Sequence, residues 1–237
     1  MTRLNNSKRD GRERLIYLTA GEVVLAGNLA IPHEARGIVL FAHGSGSSRH
    51  SPRNRLVAHA LQEQGLATLL FDLLTPEEES VDQFTAQFRF DIEGLTQRLV
   101  GATDWIAQHS DTEALPIGYF GASTGAAAAL MAAARRPKLA AAIVSRGGRP
   151  DLAGKALAEV RVPTLLIVGG NDEPVIELNR QALAKLASED KNLLIIPGAT
   201  HLFPEPGTLE EVAKVAGEWY TRYLAPAGVE PVRAFAD

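Results

Sequence analysis

The chain contains no cysteine among its 237 residues. A disulfide framework and cysteine-ligated zinc are therefore excluded, although the absence does not by itself fix the cellular compartment. The chain also lacks His-x-His and His-Glu-x-x-His patterns, in which histidines on one face of an element ligate zinc. We accordingly predict no metal site and no cofactor.

Long apolar runs and an excess of one charge are missing as well. No segment reaches the ~18 apolar residues of a membrane span, and residues 2–10 are polar where a signal peptide has an apolar core. The net charge is only -4, and the basic residues are interspersed with acidic ones. We therefore expect a cytoplasmic protein with neither a membrane nor a nucleic acid as partner, and composition leaves its oligomeric state open.

The length fits one domain of the α/β class, which commonly reaches this size without dividing. We predict a single domain over residues 14–224, with flexible tails at 1–13 and 225–237.

Apolar runs bounded by turn residues predict eight strands. They cover residues 15–19, 22–31, 37–42, 67–72, 115–120, 140–145, 162–168 and 193–196. The first two are joined as a hairpin, and from the third onward strands alternate with helical stretches at 51–63, 86–108, 125–133, 175–187 and 208–224. This alternation predicts a mostly parallel sheet with helices on both faces. We expect residues 73–84, with their acidic run, to form a solvated loop, with partial shading of the site as the alternative. Residues 146–161 are too few for a cap domain.

The most informative segment is Gly121-Ala122-Ser123-Thr124-Gly125. It follows an apolar strand directly and leads into an alanine-rich helix, which is the context of a nucleophile elbow. A sharp turn at Ser123 needs small neighbours, since a Cβ at either glycine would clash with nearby backbone. Ser123 is thus the candidate nucleophile, and it requires a base to activate it.

An acid and a base follow along the chain, each just beyond a predicted strand. Asp172 follows the seventh strand, with Glu173 as the competing acid, and His201 follows the eighth. The order Ser, Asp, His is that of α/β-hydrolases and differs from the orders in chymotrypsin-like and subtilisin-like proteases.

A loop of small residues, His43-Gly44-Ser45-Gly46, follows the third strand. Such a loop supplies backbone N–H groups to an oxyanion hole, and we assign the two donors to Ser45 and Thr124. We expect His43 to be a buried residue that braces the loop.

These four segments together resemble the α/β-hydrolase superfamily, in particular its dienelactone hydrolase-like group, over roughly residues 14–224. The resemblance implies an α/β-hydrolase fold and hydrolysis of carboxylic esters of small to medium soluble substrates, with lactones, thioesters or amides as alternatives. Dienelactone hydrolases proper carry cysteine as nucleophile. A serine at that position argues against dienelactone itself as the substrate.

Basic residues on the loops after two strands suggest an anionic group in the substrate. Arg49 and Arg53 follow the third strand, and Arg146 and Arg149 follow the sixth. One or more of them would hold the anion, because the guanidinium fork pairs with carboxylate or phosphate, and we assign the role to Arg49 and Arg149. The alternative is that these arginines pair with Asp72 and Asp151 or are solvated.

Two other classes of protein compete with a hydrolase. Gly44-Ser45-Gly46, with Asp72 after the next strand, imitates a dinucleotide-binding fingerprint, although Arg49 occupies the place of the third glycine. A non-catalytic binding protein on a hydrolase scaffold is the other possibility, and retention of all three candidate triad residues argues against it.

Overall fold

The protein is described here from a computed structural model that covers residues 11–224. The tails predicted at 1–13 and 225–237 therefore lie almost wholly outside the described residues. All eight predicted strands are present within a residue or two of their expected ends. They are β1 Arg14–Ala20, β2 Val23–Ala30, β3 Ile38–Ala42, β4 Ala67–Phe71, β5 Ile117–Ala122, β6 Ala140–Arg146, β7 Thr164–Gly169 and β8 Lys191–Ile196.

The eight strands form one sheet in the order β1-β2-β4-β3-β5-β6-β7-β8. The β1–β2 and β2–β4 pairs are antiparallel, and every other pair is parallel. Each residue of β3, β4, β5 and β7 is buried, which explains why these strands are nearly continuous apolar runs rather than alternating ones. The predicted mostly parallel, eight-stranded sheet is confirmed.

The described residues contain six α-helices. They are α1 Pro52–Glu63, α2 Pro76–Thr85, α3 Ile92–Gln108, α4 Thr124–Arg135, α5 Glu173–Lys185 and α6 Thr208–Tyr223. Side chains of α3 and α4 pack in the core on one face of the sheet, and those of α1 and α6 pack on the other. Tyr220 of α6 crosses to the middle of the sheet, where its hydroxyl donates to the carbonyl of Tyr119 at 2.6 Å.

The expected loop at 73–84 is wrong, because α2 occupies most of it. A capping box begins the helix: the Thr75 hydroxyl accepts from the Glu78 N–H at 3.2 Å, and the Glu78 carboxylate accepts from the Thr75 N–H at 2.8 Å. The acidic run lies in the first turn, where the helix dipole favours negative charge. The Thr-x-x-Glu pattern of the capping box is the sequence signal for this helix, and apolar periodicity alone does not reveal it.

The predicted helix at 86–108 begins only at Ile92. Asp91 is its N-cap and accepts from the Gly94 N–H at 3.0 Å. The preceding turn is held by the buried Asp82, whose carboxylate accepts from the N–H groups of Phe88 and Arg89. These local side-chain bonds compete with helix formation.

The connection from β6 to β7, residues 147–163, contains a 3₁₀ segment at Pro150–Glu159 that is interrupted at Gly154. A cap domain is absent from this connection, as predicted, so the edge of the sheet beside it is not covered by an inserted domain.

Candidate active site

The turn between β5 and α4 has the geometry of a nucleophile elbow. Ser123 has φ 51° and ψ -122°, a conformation that L-residues rarely adopt. A Cβ at Gly121 would lie 2.4 Å from the Cα of Ala126, and one at Gly125 would lie 2.1 Å from the carbonyl oxygen of Ala42. Glycine at both positions therefore lets α4 begin immediately behind the serine and close to β3.

Ser123 lies between the loop after β3 and the end of β6. A Cβ on Gly44 would be 3.0 Å from the Cβ of Ser123, so the two backbones approach closely. The Ser123 N–H donates to the carbonyl of Arg146 at 3.3 Å, and its carbonyl accepts from the Arg149 N–H at 3.0 Å. The half-buried serine is thus held by its backbone on both sides.

Asp172 and His201 are in direct contact. Asp172 is the N-cap residue of α5, and its Oδ2 lies 2.6 Å from Nδ1 of His201. A carboxylate can only accept, so Nδ1 donates the proton and Nε2 keeps its lone pair. Glu173, the competing acid, is exposed to solvent. The geometry therefore favours Asp172 over Glu173 as the partner of the histidine.

The His201 ring lies beside Gly147, which immediately follows β6. A Cβ on Gly147 would be 2.9 Å from the carbonyl oxygen of His201 and 3.6 Å from its Nδ1, and Gly147 has φ +50°. The backbone of the neighbouring Arg146 bonds to Ser123, so β6 brings the histidine and the serine to the same edge. A side chain at position 147 would therefore press on the backbone of His201 and would be strained by the positive φ.

The loops that carry Asp172 and His201 are bonded to each other. The Asn171 N–H donates to the carbonyl of Ala199 at 2.9 Å, and the Asn171 side chain donates to the carbonyl of Gly198 at 2.9 Å. Thr200 donates through both its N–H and its hydroxyl to the Glu205 carboxylate, at 3.1 and 2.6 Å. These bonds limit the freedom of the histidine relative to its acid.

The loop predicted to supply oxyanion donors lies against the start of α4. The hydroxyls of Ser45 and Thr124 are 3.1 Å apart, so the two residues are neighbours, as the sequence prediction requires. Thr124 is the first residue of α4. An N–H group in the first turn of a helix has no intrahelical partner and is available to an external acceptor.

His43 is buried and links this loop to the end of β4. Its Nε2 accepts from the Leu73 N–H at 3.1 Å, so the proton lies on Nδ1, which donates to the carbonyl of Gly44 at 3.0 Å. Burial lowers the pKa of His43, against smaller opposing effects of the Gly44 hydrogen bond and of the Asp72 and Glu79 charges. The ring is therefore neutral and has both nitrogens engaged, which suits a bracing role and leaves no free base.

A cavity of about 350 Å³ lies between this loop and the start of α2. Residues from 73–84 form part of its wall, which agrees with the alternative that this segment partly shades the site rather than with a solvated loop. The lining residues from that segment are Leu74, Thr75, Pro76 and Glu79, and they face His43, Ser47, Ser48 and Asp72.

Both arginines assigned to an anionic substrate group already have carboxylate partners. The Arg49 backbone N–H donates to Asp72 at 2.8 Å and its guanidinium pairs with the same carboxylate. Arg149 forms a two-pronged pair with Asp151, at 2.9 and 2.8 Å. These are the pairs that the alternative interpretation named. Asp72 is likewise engaged and is not free for a ribose hydroxyl, as the dinucleotide interpretation would need.

The described residues, 11–224, contain neither a candidate metal site nor a candidate membrane-spanning helix. No group of three or more His, Asp or Glu side chains in this range is arranged to hold a metal ion. Within the same range, no helix combines the length and apolar character needed to cross a bilayer.

Comparison with known proteins places the chain in a family. The sequence model of the Dienelactone hydrolase family matches residues 25–225. The crystal structure of a dienelactone hydrolase from Anabaena variabilis is 61% identical, covers 90% of this chain and 98% of its own, and superposes with a TM-score of 0.88. Est1E from Butyrivibrio proteoclasticus is 17% identical, with 87% of this chain and 97% of its own covered and a TM-score of 0.72, and this likeness supports the fold alone.

A longer relative is found in Mycobacterium tuberculosis H37Rv, under the name "Putative phosphoribosyl transferase". It is 56% identical over 217 residues, which are 92% of this chain and 48% of that protein. The chain thus spans about half the length of this relative. On the family match and the Anabaena structure, the chain belongs to the dienelactone hydrolase family of α/β-hydrolases.

Proposed function

We propose that the protein is a serine hydrolase that cleaves carboxylic esters of small to medium soluble substrates through an acyl-enzyme intermediate. The observation that carries the proposal is the 2.6 Å bond between His201 and Asp172, placed at the same sheet edge as the strained Ser123. Nucleophile, base and orienting acid are the parts that this chemistry needs.

In the first half of the reaction the Ser123 hydroxyl oxygen attacks the acyl carbon, and Nε2 of His201 takes its proton. Asp172 keeps the imidazole in the required tautomer and stabilises the imidazolium. The oxyanion accepts hydrogen bonds from the N–H groups of Ser45 and Thr124. His201 then returns the proton to the leaving alcohol as the ester bond breaks.

In the second half, water adds to the acyl carbon and gives a proton to His201. The second tetrahedral intermediate collapses, the acid leaves, and the proton returns to Ser123. This sequence needs neither a metal nor an organic cofactor. Lactones, thioesters and amides could enter the same steps, and relative turnover of matched acyl compounds decides among them.

We do not propose phosphoribosyl transfer for this chain, although the mycobacterial relative bears that name. That protein is about twice as long as the region matched here, and a phosphoribosyl transfer would make no use of a serine, histidine and aspartate in this arrangement.

The decisive experiment is labelling with a fluorophosphonate, which reacts covalently with an activated serine. We expect tandem mass spectrometry to place the label on Ser123 itself, since the tryptic peptide 99–135 also contains Ser110. The Ser123→Ala variant should lose both the label and about 10⁶-fold in kcat on a soluble aryl acetate. Ser110→Ala, at an exposed turn, is the matched control and should behave like the parent. Label on another residue, or near-parental turnover by Ser123→Ala, would refute the proposal.

A further inference from the structure

Arg146, the last residue of β6, is a buried cation with no counter-ion among residues 11–224. Its relative exposure is 6%, and its Nε and Nη1 atoms have no hydrogen-bond partner among the described residues. Burial, and to a smaller extent the charge of Arg53, lowers the pKa of Arg146 to about 10. A charged group is ordinarily buried only when it is paired, so this arrangement needs an explanation.

Arg53, in the first turn of α1, is the charge that acts on Arg146. Its Nε is also buried with no hydrogen-bond partner in the described part of the chain. The first turn of α1 contains no acidic residue, and a helix N-terminus is itself the positive end of the dipole. The guanidinium groups of Arg146 and Arg53 and the N-terminus of α1 therefore place positive charge on this side of the sheet. No carboxylate among residues 11–224 pairs with either arginine.

Other arginines near this edge do not share this condition. Arg49 is paired with Asp72, Arg89 with Asp82 and Arg149 with Asp151. Over residues 11–224, neither Arg146 nor Arg53 takes part in an ion pair. The arginines that hold loops together are thus each paired with a carboxylate, whereas Arg146 and Arg53 have no such partner among the described residues.

The backbone of Arg146 is bonded to the elbow. The carbonyl of Arg146 accepts the Ser123 N–H at 3.3 Å. Ala142 and Val144 belong to the core cluster beneath α1 and α6, and side chains two residues apart on a strand share a face. Arg146 therefore points to the α1 side of Ser123, where the loop of Ser45 leads into that helix.

We propose that Arg146 and Arg53 form an oxyanion-binding subsite that holds a carboxylate or phosphate group of the substrate and sets its specificity. The subsite replaces the assignment to Arg49 and Arg149, and as a specificity site it rests on the proposed esterase function. Two guanidinium groups offer several parallel N–H donors to one anion. A bound anion would supply the negative charge that no residue in 11–224 provides to Arg146 and Arg53.

The test compares four aryl acetates or succinates that differ in charge. 4-Methylphenyl acetate is neutral, 4-(carboxymethyl)phenyl acetate and 4-(phosphonomethyl)phenyl acetate carry the anion on the alcohol side, and 4-methylphenyl succinate carries it on the acyl side. The enzymes are the parent, Arg146→Met, Arg53→Met and Arg135→Met. Arg135 is the matched control, because it lies at the far end of α4 and pairs with Glu93.

The parent should prefer one of the charged esters, and the preferred ester identifies the anion and the side on which it binds. On that ester, Arg146→Met and Arg53→Met should each lose about tenfold or more in kcat/KM, while the neutral ester changes by less than about threefold. Arg135→Met should be unchanged on all four. Equal losses on neutral and charged esters, or no loss on any, would overturn the subsite.

A binding measurement separates this proposal from the esterase proposal. In the Ser123→Ala background, which needs no turnover, succinate or inorganic phosphate should raise the thermal midpoint, and the addition of Arg146→Met should abolish the rise. A parent that hydrolyses no ester yet shows this stabilisation would refute the esterase function alone. A rise that persists in the Arg146→Met background would refute the subsite alone.

Discussion

Replacement of Asp172 by asparagine tests the centre of the proposed mechanism with little change of volume. The carboxylate accepts from Nδ1 of His201 at 2.6 Å, and it is largely shielded from solvent. An asparagine side chain can present either its carbonyl or its NH₂ group to the ring. The NH₂ group would donate to Nδ1 and move the ring proton to Nε2, which could then no longer take the proton of Ser123.

The magnitude has two parts. Loss of the charge on a hydrogen-bond partner removes about 1.5–3 kcal/mol, which corresponds to about 10–150-fold in rate. The wrong tautomer adds to this, and the equivalent change in serine proteases lowers kcat by about 10⁴. We therefore expect Asp172→Asn to lose about three to four orders of magnitude in kcat on a neutral aryl acetate.

Glu173→Gln is the matched control, since Glu173 is the adjacent acid and is exposed. It should stay within about twofold of the parent, because surface changes of this kind have small effects. The assay is the pH profile of kcat for parent and both variants, with thermal unfolding to verify that each is folded. A folded Asp172→Asn within tenfold of the parent, or a larger loss in Glu173→Gln, would refute the assignment of the acid.

Two further predictions concern residues that pack at the end of β3. Gly125→Ala places a Cβ 2.1 Å from the carbonyl oxygen of Ala42, so α4 must shift and kcat should fall about 10²-fold. Gly154→Ala is the control: its φ of +54° makes a side chain there costly in stability, but with no atom within 4 Å of the new Cβ the folded variant should keep the parental kcat, and equal activities of the two variants would contradict the argument. The second uses His43, whose lowered pKa means that below the ordinary value of 6.5 the unfolded chain binds a proton that the folded one refuses. Stability is therefore lost as pH falls below 6.5. In urea titrations the advantage of the parent over His43→Gln should shrink from pH 7.5 to pH 5, and a constant difference would show that the ring does not titrate in this way.

Local patterns in the sequence were sufficient for much of the fold. Strands β3, β4, β5 and β7 are nearly continuous apolar runs because both faces of the parallel sheet are covered there, and such runs are visible in the sequence. The elbow was equally local, since the clashes that Gly121 and Gly125 avoid involve backbone a few residues away or on the adjacent strand. Helix α2 was missed even though its capping box is a local signal, because its face carries too few apolar residues for periodicity to show.

The sequence by itself determined which residues are the candidate nucleophile, acid and base, and that each follows a strand. Chain order and strand position restrict which side chains reach one edge of the sheet. Which arginines are paired was decided only by the tertiary structure. Arg49 pairs with Asp72 and Arg149 with Asp151, whereas Arg146 lies on the α1 side of the sheet, where the charge of Arg53 acts on it. Ion pairing depends on distances between elements remote in the chain, and these distances follow from the packing of helices on the sheet rather than from any spacing in the sequence.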